Sequence, residues 1–344
     1  MRVTLVAAPL MARGGVYRSA VDLVTTARAA GHDWHAVLGV RPEAAGIPVE
    51  DDRLTEHVVT EHGRHLLPAV DRLLDSDAVR SADVIVSLIP QSDMVIARRQ
   101  DLLAKRRVAW VRGLPWPAVG EQHGARRVLL SAMERRALAR FDDVWSTTPL
   151  LEAQLGHSGR GSIVPAGVPL LARGRSRAEA PIVFAGRLST EKGADLFMQI
   201  AARTGVDARI HGTGALEAEL HRASPPNLAW GGWRAAGDIW ADAGVCVVPS
   251  HRDAFGRTPV EAASAGVPVV MSDQVGVAPL LYTDAELRDQ LVLPIGEPDR
   301  WDAAIRRLRQ DDLFRRRVVE HGWANAQHLT IEASFHAAVS AMQN

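Results

Sequence analysis

Pro249-Ser-His-Arg-Asp-Ala-Phe-Gly-Arg-Thr-Pro-Val-Glu261 is the stretch on which the reading of this chain turns. Two acids, Asp253 and Glu261, stand with seven residues between them, around a Phe255-Gly256 loop. Thr258-Pro-Val-Glu261 has the form of a helix start, with Thr258 as N-cap, Pro259 at the first helical position and Glu261 three residues after the cap. The backbone N–H groups of Phe255, Gly256 and Arg257, together with the positive end of that helix, then form a place for an anion.

Upstream, the apolar run Ile182-Val-Phe-Ala185 leads into Gly186-Arg187-Leu-Ser-Thr-Glu-Lys192-Gly193, which puts two cations into one strand-to-helix connection. Arg187 offers a planar fork and Lys192 a compact point charge, a pair suited to a diphosphate. Each of these residues also has a plainer reading. Arg187 and Lys192 can be surface charges capping the next helix with Glu191, Glu261 the last member of a capping box, and Asp253 an Asx-turn residue.

The run Gly186 to Gly193, the Gly212-Thr-Gly214 turn, Val247-Val-Pro-Ser250, the two spaced acids and Ala265-Gly-Val-Pro-Val269 occur in that order. As an ordered set they resemble family 4 of the retaining GT-B glycosyltransferases (glycosyl transferases group 1). The resemblance implies an α/β chain of two Rossmann-like, doubly wound domains facing each other across a cleft. It implies an enzyme that moves a sugar from a nucleotide-diphosphate sugar to an acceptor hydroxyl with retention, using no metal and no cofactor. The donor would be held mainly by the second domain and the acceptor, a small molecule, a glycan or a lipid-linked sugar, by the first.

Residue by residue, the resemblance places Arg187 and Lys192 on the leaving diphosphate. Asp253 takes the position of the first acid, usually glutamate, beside the donor sugar, and Glu261 that of the second, on the ribose hydroxyls. Phe255, Gly256, Arg257 and Thr258 line the phosphate and sugar side of the same site. Gly14 and Gly15, a glycine turn after the first strand, would reach the donor from the other domain, and glycine permits such close backbone approach. Gly212, in the Gly212-Thr-Gly214 turn, is a further donor-binding candidate, and Trp233 lies where the family lines the base pocket and either stacks on a base or packs in the core. Two departures stand out. Arg112 ends a first-domain strand where the family usually has a histidine near the sugar, so it either binds the sugar or acceptor or marks a different site. After Met271-Ser-Asp, Gln274-Val-Gly-Val-Ala-Pro279 replaces the family's Gly-Gly and acid.

Short apolar strands alternate with amphipathic stretches along the whole chain, as in doubly wound α/β domains. The pattern predicts strands over 3–8, 34–40, 54–60, 84–89, 108–112 and 144–147 in a first domain of residues 1–169. It predicts strands over 182–185, 208–211, 228–230, 245–249, 267–271 and 291–294 in a second domain of residues 181–329, after a linker at 170–180. Helices are expected over 16–30, 301–310 and 313–324, with a last one over 331–342 crossing back to the first domain.

Composition bounds the function classes. The chain has 344 residues, 47% of them hydrophobic, enough for two cores, and no apolar run approaches the roughly 20 residues of a membrane span. Lys+Arg and Asp+Glu are 40 each, which argues against a nucleic-acid-binding surface. Only Lys105 and Lys192 are lysines, so arginine is the default cation and a lysine at 192 is unusual. One cysteine, Cys246, in an apolar run, excludes an intramolecular disulfide and points to a reducing, cytoplasmic setting. The 13 histidines show no metal-ligand spacing. The arginine-rich stretch 124–140 reads as an amphipathic surface helix, with peripheral membrane contact as its alternative. Outside transfer, two readings remain: a nucleotide-sugar epimerase or similar relative on the same fold, and a non-catalytic nucleotide-sugar-binding protein. Gly212-Thr-Gly-Ala-Leu-Glu217 lacks the third glycine of a dinucleotide fingerprint.

Overall fold

The computed structural model describes residues 1–44, 51–114, 124–156, 161–175 and 177–343, and the side chains of Arg126 and Arg127, two of the cations counted in the 124–140 stretch, lie outside that description. The chain divides into two compact units, Met1–Gly167 with Ile331–Asn344, and Val168–Thr330.

The first unit holds a six-stranded sheet made of β1 (Arg2–Leu10), β2 (Asp33–Val40), β3 (Leu54–Val58), β4 (Val84–Ser87), β5 (Arg106–Val111) and β6 (Asp143–Ser146), in the order β3-β2-β1-β4-β5-β6. All pairings are parallel. The central strands are continuous apolar runs because helices cover both faces of a parallel sheet. The Gly15–Ala29 helix buries Tyr17, Ala20, Leu23, Val24 and Ala27, the helical spacing of one apolar stripe. Against it packs the C-terminal helix Ile331–Gln343, through Phe335, Ala338 and Met342 in the same core. The Phe335 ring meets Trp34 edge-on at 5.1 Å between centroids.

The second unit repeats the plan with β7 (Ile182–Ala185), β8 (Ala208–His211), β9 (Leu228–Gly232), β10 (Val245–Val248), β11 (Val269–Ser272) and β12 (Val292–Leu293), ordered β12-β11-β10-β7-β8-β9 and again parallel. In both sheets the strand order reverses beside the first strand, at β1/β4 and at β7/β10. Ligands of open parallel sheets bind outside the carboxyl ends of the strands at such a reversal. Cys246, in the middle of β10, is buried. Among the described residues no helix is long and apolar enough to cross a membrane.

One local expectation fails. The helix following β10 begins at Arg257, one residue before the expected cap, and its N-cap is Gly256 at φ 92° with no side-chain capping bond. Thr258 is not the cap, and no capping box forms. Its hydroxyl instead donates to the carbonyl of Ala185 at the end of β7, 3.2 Å away. A neighbouring strand end supplied an acceptor that the local sequence could not show.

Candidate functional site

The carboxyl edge of the second sheet is built by loops that lock into one another through glycine. Gly193, at φ 69°, lies so close to the 249 peptide that an added Cβ would sit 1.9 Å from the Pro249 carbonyl oxygen. A Cβ on Gly212, at φ 131°, would lie 1.9 Å from the Gly186 oxygen. Backbone bonds complete the lock. Gly186 donates to His211 at 3.0 Å, Leu188 to Thr213 at 2.9 Å and His251 to Glu191 at 2.9 Å. The connections after β7, β8 and β10 therefore form one surface at the β7/β10 reversal.

That surface carries the expected charges. Lys192 Nζ donates to Asp253 Oδ2 at 2.7 Å, with 22% and 18% of the two side chains exposed. The Asp253 carboxylate thus serves a cation from another loop. Arg257 and Glu261 form a second pair, Nε to Oε1 at 3.7 Å, one helical turn apart. Arg187 is exposed, and its guanidinium makes no bond with a described residue. Phe255 is buried, which anchors the loop entering the 257–264 helix. The first N–H groups of a helix have no intrahelical acceptor, so this start lies next to the loop that holds the Lys192–Asp253 pair.

The divergent segment after β11 has a structural use. Asp253 N–H donates to Gln274 O, Gly276 N–H to Asp253 O and Val277 N–H to Phe255 O, at 3.1, 2.8 and 2.7 Å. Val275 and Val277 are buried, and Val275 Cγ1 lies 2.6 Å from where a Cβ on Gly256 would be. Gln274 to Val277 thus clamp the segment that presents Asp253.

Trp233, just beyond β9, is 78% exposed, which rules out the core-packing alternative. His211, at the end of β8, lies beneath Gly231, where a Cβ would fall 2.0 Å from its ring. Burial, the largest effect, lowers the pKa of His211. A cavity of about 650 Å³ among Arg173, Arg177, Arg315 and Glu320 contains none of the candidate residues. There Arg173 pairs with Glu320, Arg177 with Asp242, and Arg315 donates to main-chain carbonyls.

In the first unit, Gly14 is the N-cap of the Gly15–Ala29 helix, and a Cβ there would meet nothing within 4 Å. Arg112 follows β5; its guanidinium lies 3.9 Å from the Trp110 ring centroid and donates to Ser19 Oγ at 3.1 Å. It lines a cavity of about 220 Å³ with Val16, Leu88, Asp93, Val111 and Leu114. Sequence reasoning missed Asp93 and the buried Glu134 beside it. They sit on separate helices, in no recurring motif, and only folding brings them together.

Residues 179–311 match the family model described as glycosyl transferases group 1. A curated relative, the D-inositol 3-phosphate glycosyltransferase of Nocardioides sp. (strain ATCC BAA-499 / JS614), is 32% identical over 144 residues, which is 42% of this chain and 29% of that protein. The chain thus matches less than a third of its curated relative's length. Sucrose-phosphate synthase from Thermosynechococcus elongatus superposes with a TM-score of 0.81 at 19% identity, over 100% of this chain and 98% of its own. Anabaena HepE in complex with UDP-glucose gives 0.78 at 17% identity, over 100% of both chains. These two likenesses show the fold. Residues 179–311 are thus similar to the glycosyl transferases group 1, and the two-unit α/β architecture is the GT-B fold.

Proposed function

We propose that the protein is a retaining, metal-independent glycosyltransferase that moves a sugar from a nucleoside-diphosphate sugar to an acceptor hydroxyl. The observation that carries this reading is the grouping of the Lys192–Asp253 pair and the Arg257–Glu261 pair around one helix start at the β7/β10 reversal. The names of the relatives support it, since one is a glycosyltransferase and another was captured with UDP-glucose.

In this reading the second unit holds the donor and the first the acceptor. The bond from the anomeric carbon to the phosphate oxygen breaks, and negative charge grows on the diphosphate. Arg187, Lys192 and the N–H groups at Gly256 and Arg257 neutralise it, a preorganised electrostatic stabilisation. The acceptor oxygen bonds to the same face of the sugar, and its proton passes to the leaving phosphate. Asp253 meets the donor sugar, Glu261 accepts from the ribose hydroxyls, and Trp233 stacks on the base. A cytoplasmic setting belongs to this reading, on the single buried cysteine.

The test is incubation with isotopically labelled nucleotide sugars, with and without candidate acceptors, in the presence of a chelator. NMR then gives the anomer of the product. Transfer with retention supports the proposal. Interconversion of the donor sugar without acceptor would mark an epimerase instead, and binding without turnover a non-catalytic protein.

A further inference from the structure

The arginine-rich segment 170–180 is fixed to the second unit at both ends. Leu171 N–H donates to Ser264 Oγ at 3.2 Å and Gly174 N–H to the Ala265 carbonyl at 2.9 Å. At the other end Arg309 Nη1 donates to the Ala180 carbonyl at 2.7 Å, and nearby Arg315 Nη2 donates to that of Gly244 at 2.9 Å. Ala180 and Gly244 lie just ahead of β7 and β10, so the segment borders the amino edge of the second sheet, opposite the edge that carries Lys192 and Asp253. Between it and the Asp312–Ala326 helix lies the cavity of about 650 Å³.

Five arginines line that cavity, Arg173, Arg175, Arg177, Arg315 and Arg316, against three acids, Glu179, Asp312 and Glu320, a formal excess of two positive charges. Just outside it the charges of Arg309 and Asp242 offset each other. Three of the arginines are built into the walls. Arg173 pairs with Glu320 and lies over Trp323, 4.6 Å from the ring centroid, and Arg177 pairs with Asp242 at 3.4 Å. Arg315 is 5% exposed and donates to the Leu308 and Gly244 carbonyls. The other two are exposed. The Arg175 guanidinium makes no bond with a described residue, and Arg316 engages only Nε, on the Asp312 carbonyl at 3.2 Å.

Exposed guanidinium forks bind phosphate or carboxylate through paired N–H bonds. The charge excess decides between the two, because a phosphate monoester brings about −1.5 to −2 and a carboxylate only about half of that. The volume falls within the roughly 300–1,000 Å³ of small-molecule sites and leaves room beyond the phosphoryl group. Carboxylates are acceptors only, so the exposed Glu179 and Asp312 call for hydroxyl groups on the remainder of the ligand.

We infer that this cavity binds the phosphate monoester of a polyol, with Arg175 and Arg316 on the phosphoryl group and the Glu179 and Asp312 carboxylates accepting from its hydroxyls. The site lies at the opposite edge of the sheet from the proposed donor site, and its binding does not rest on the function proposed above.

The experiment is phosphorus NMR and calorimetric titration of the full chain at low salt, where exposed charges are least screened. The probes are inorganic phosphate and the monophosphates of glycerol, glucose and myo-inositol, with the unphosphorylated polyols as controls. At least one monophosphate should bind more tightly than inorganic phosphate, and its parent polyol should not bind. The double variant Arg175→Gln with Arg316→Gln should lose affinity for that monophosphate by about tenfold or more, the worth of a bond to a charged group. Both side chains are exposed, so the fold should tolerate their replacement. Arg203→Gln with Arg222→Gln removes the same charge from exposed positions outside the cavity and should bind like wild type. Lys192→Ala should also bind like wild type. The inference is overturned if no monophosphate binds, if inorganic phosphate binds as tightly as every ester, or if the cavity double variant binds like wild type. An equal loss in the Arg203 and Arg222 double variant would show a general charge effect, and a loss in Lys192→Ala would move the ligand to the carboxyl edge; either result overturns it as well.

Discussion

Lys192 Nζ donates to Asp253 Oδ2 at 2.7 Å, so the cation assigned to the leaving diphosphate and the acid assigned to the sugar form one ion pair. Either residue alone is open to a surface reading. Together, on loops from different strands that the Gly193–Pro249 contact holds in register, they form a preset charge pair at the strand-order reversal. A diphosphate arriving there competes with Asp253 for the Lys192 ammonium.

Removing one preorganised charge contact from a developing phosphate charge typically raises a barrier by about 2–4 kcal/mol. Arg187→Ala and Lys192→Ala are each expected to lose activity by that much at saturating donor, and a chelator should leave the wild type unaffected. Turnover equal to wild type in both variants would remove the cations from the reaction.

Asp253 is one methylene shorter than the family's usual acid, which draws its carboxylate back by about 1.5 Å, one C–C bond. Asp253→Glu should crowd the sugar and lower kcat/KM on the true donor. Asp253→Asn should lower it further, and it also removes the anionic partner of Lys192. Melting temperatures control for folding. An Asn variant with full activity would take Asp253 out of the site.

Trp233 is 78% exposed, so Trp233→Ala should change stability by less than about 0.5 kcal/mol, as surface replacements generally do. If the indole stacks on a base, affinity for the nucleoside diphosphate should fall by about 1–3 kcal/mol. Denaturant titration and calorimetry separate the two quantities. Loss of stability with unchanged affinity would reverse the assignment.

Gly193→Ala meets a backbone carbonyl 1.9 Å from the new Cβ at a left-handed φ of 69°. The conformation alone costs about 1–2 kcal/mol in an L-residue, and the Pro249 carbonyl cannot rotate away as a side chain would. Both the melting temperature and nucleotide affinity should drop. Gly14→Ala, with nothing within 4 Å of its Cβ, should leave stability nearly unchanged. Equal melting temperatures for the two variants would contradict the interlock.

Burial, and next the Asp93 charge, pushes Glu134 from 4.5 up to about 10, so the folded chain keeps a proton that the unfolded chain releases. Stability from this group is greatest below about 4.5 and falls as pH rises toward about 10, by at most about 1.4 kcal/mol per pH unit. Glu134→Gln has no proton to lose, so its stability should fall less steeply between neutrality and pH of about 9. Urea unfolding at several pH values reads the slopes. Parallel curves for variant and wild type would show that Glu134 is not held protonated.

The sequence by itself determined the two parallel sheets, because an apolar run followed by glycine and an amphipathic helix is a local pattern carried by neighbouring residues. Ala208–His211 appears with the bounds that its pattern implies, and the two charged loops fall at strand ends because they directly follow the Ile182 and Val245 runs. What depends on a partner far along the chain was decided only in three dimensions. The Thr258 hydroxyl left its expected cap for the Ala185 carbonyl, Lys192 found Asp253, and Gln274 to Val277 turned from a divergent loop into a clamp. Asp93 and Glu134 are ordinary acids of two helices until packing removes water from both, and burial is a property of neighbours that no single stretch of sequence contains.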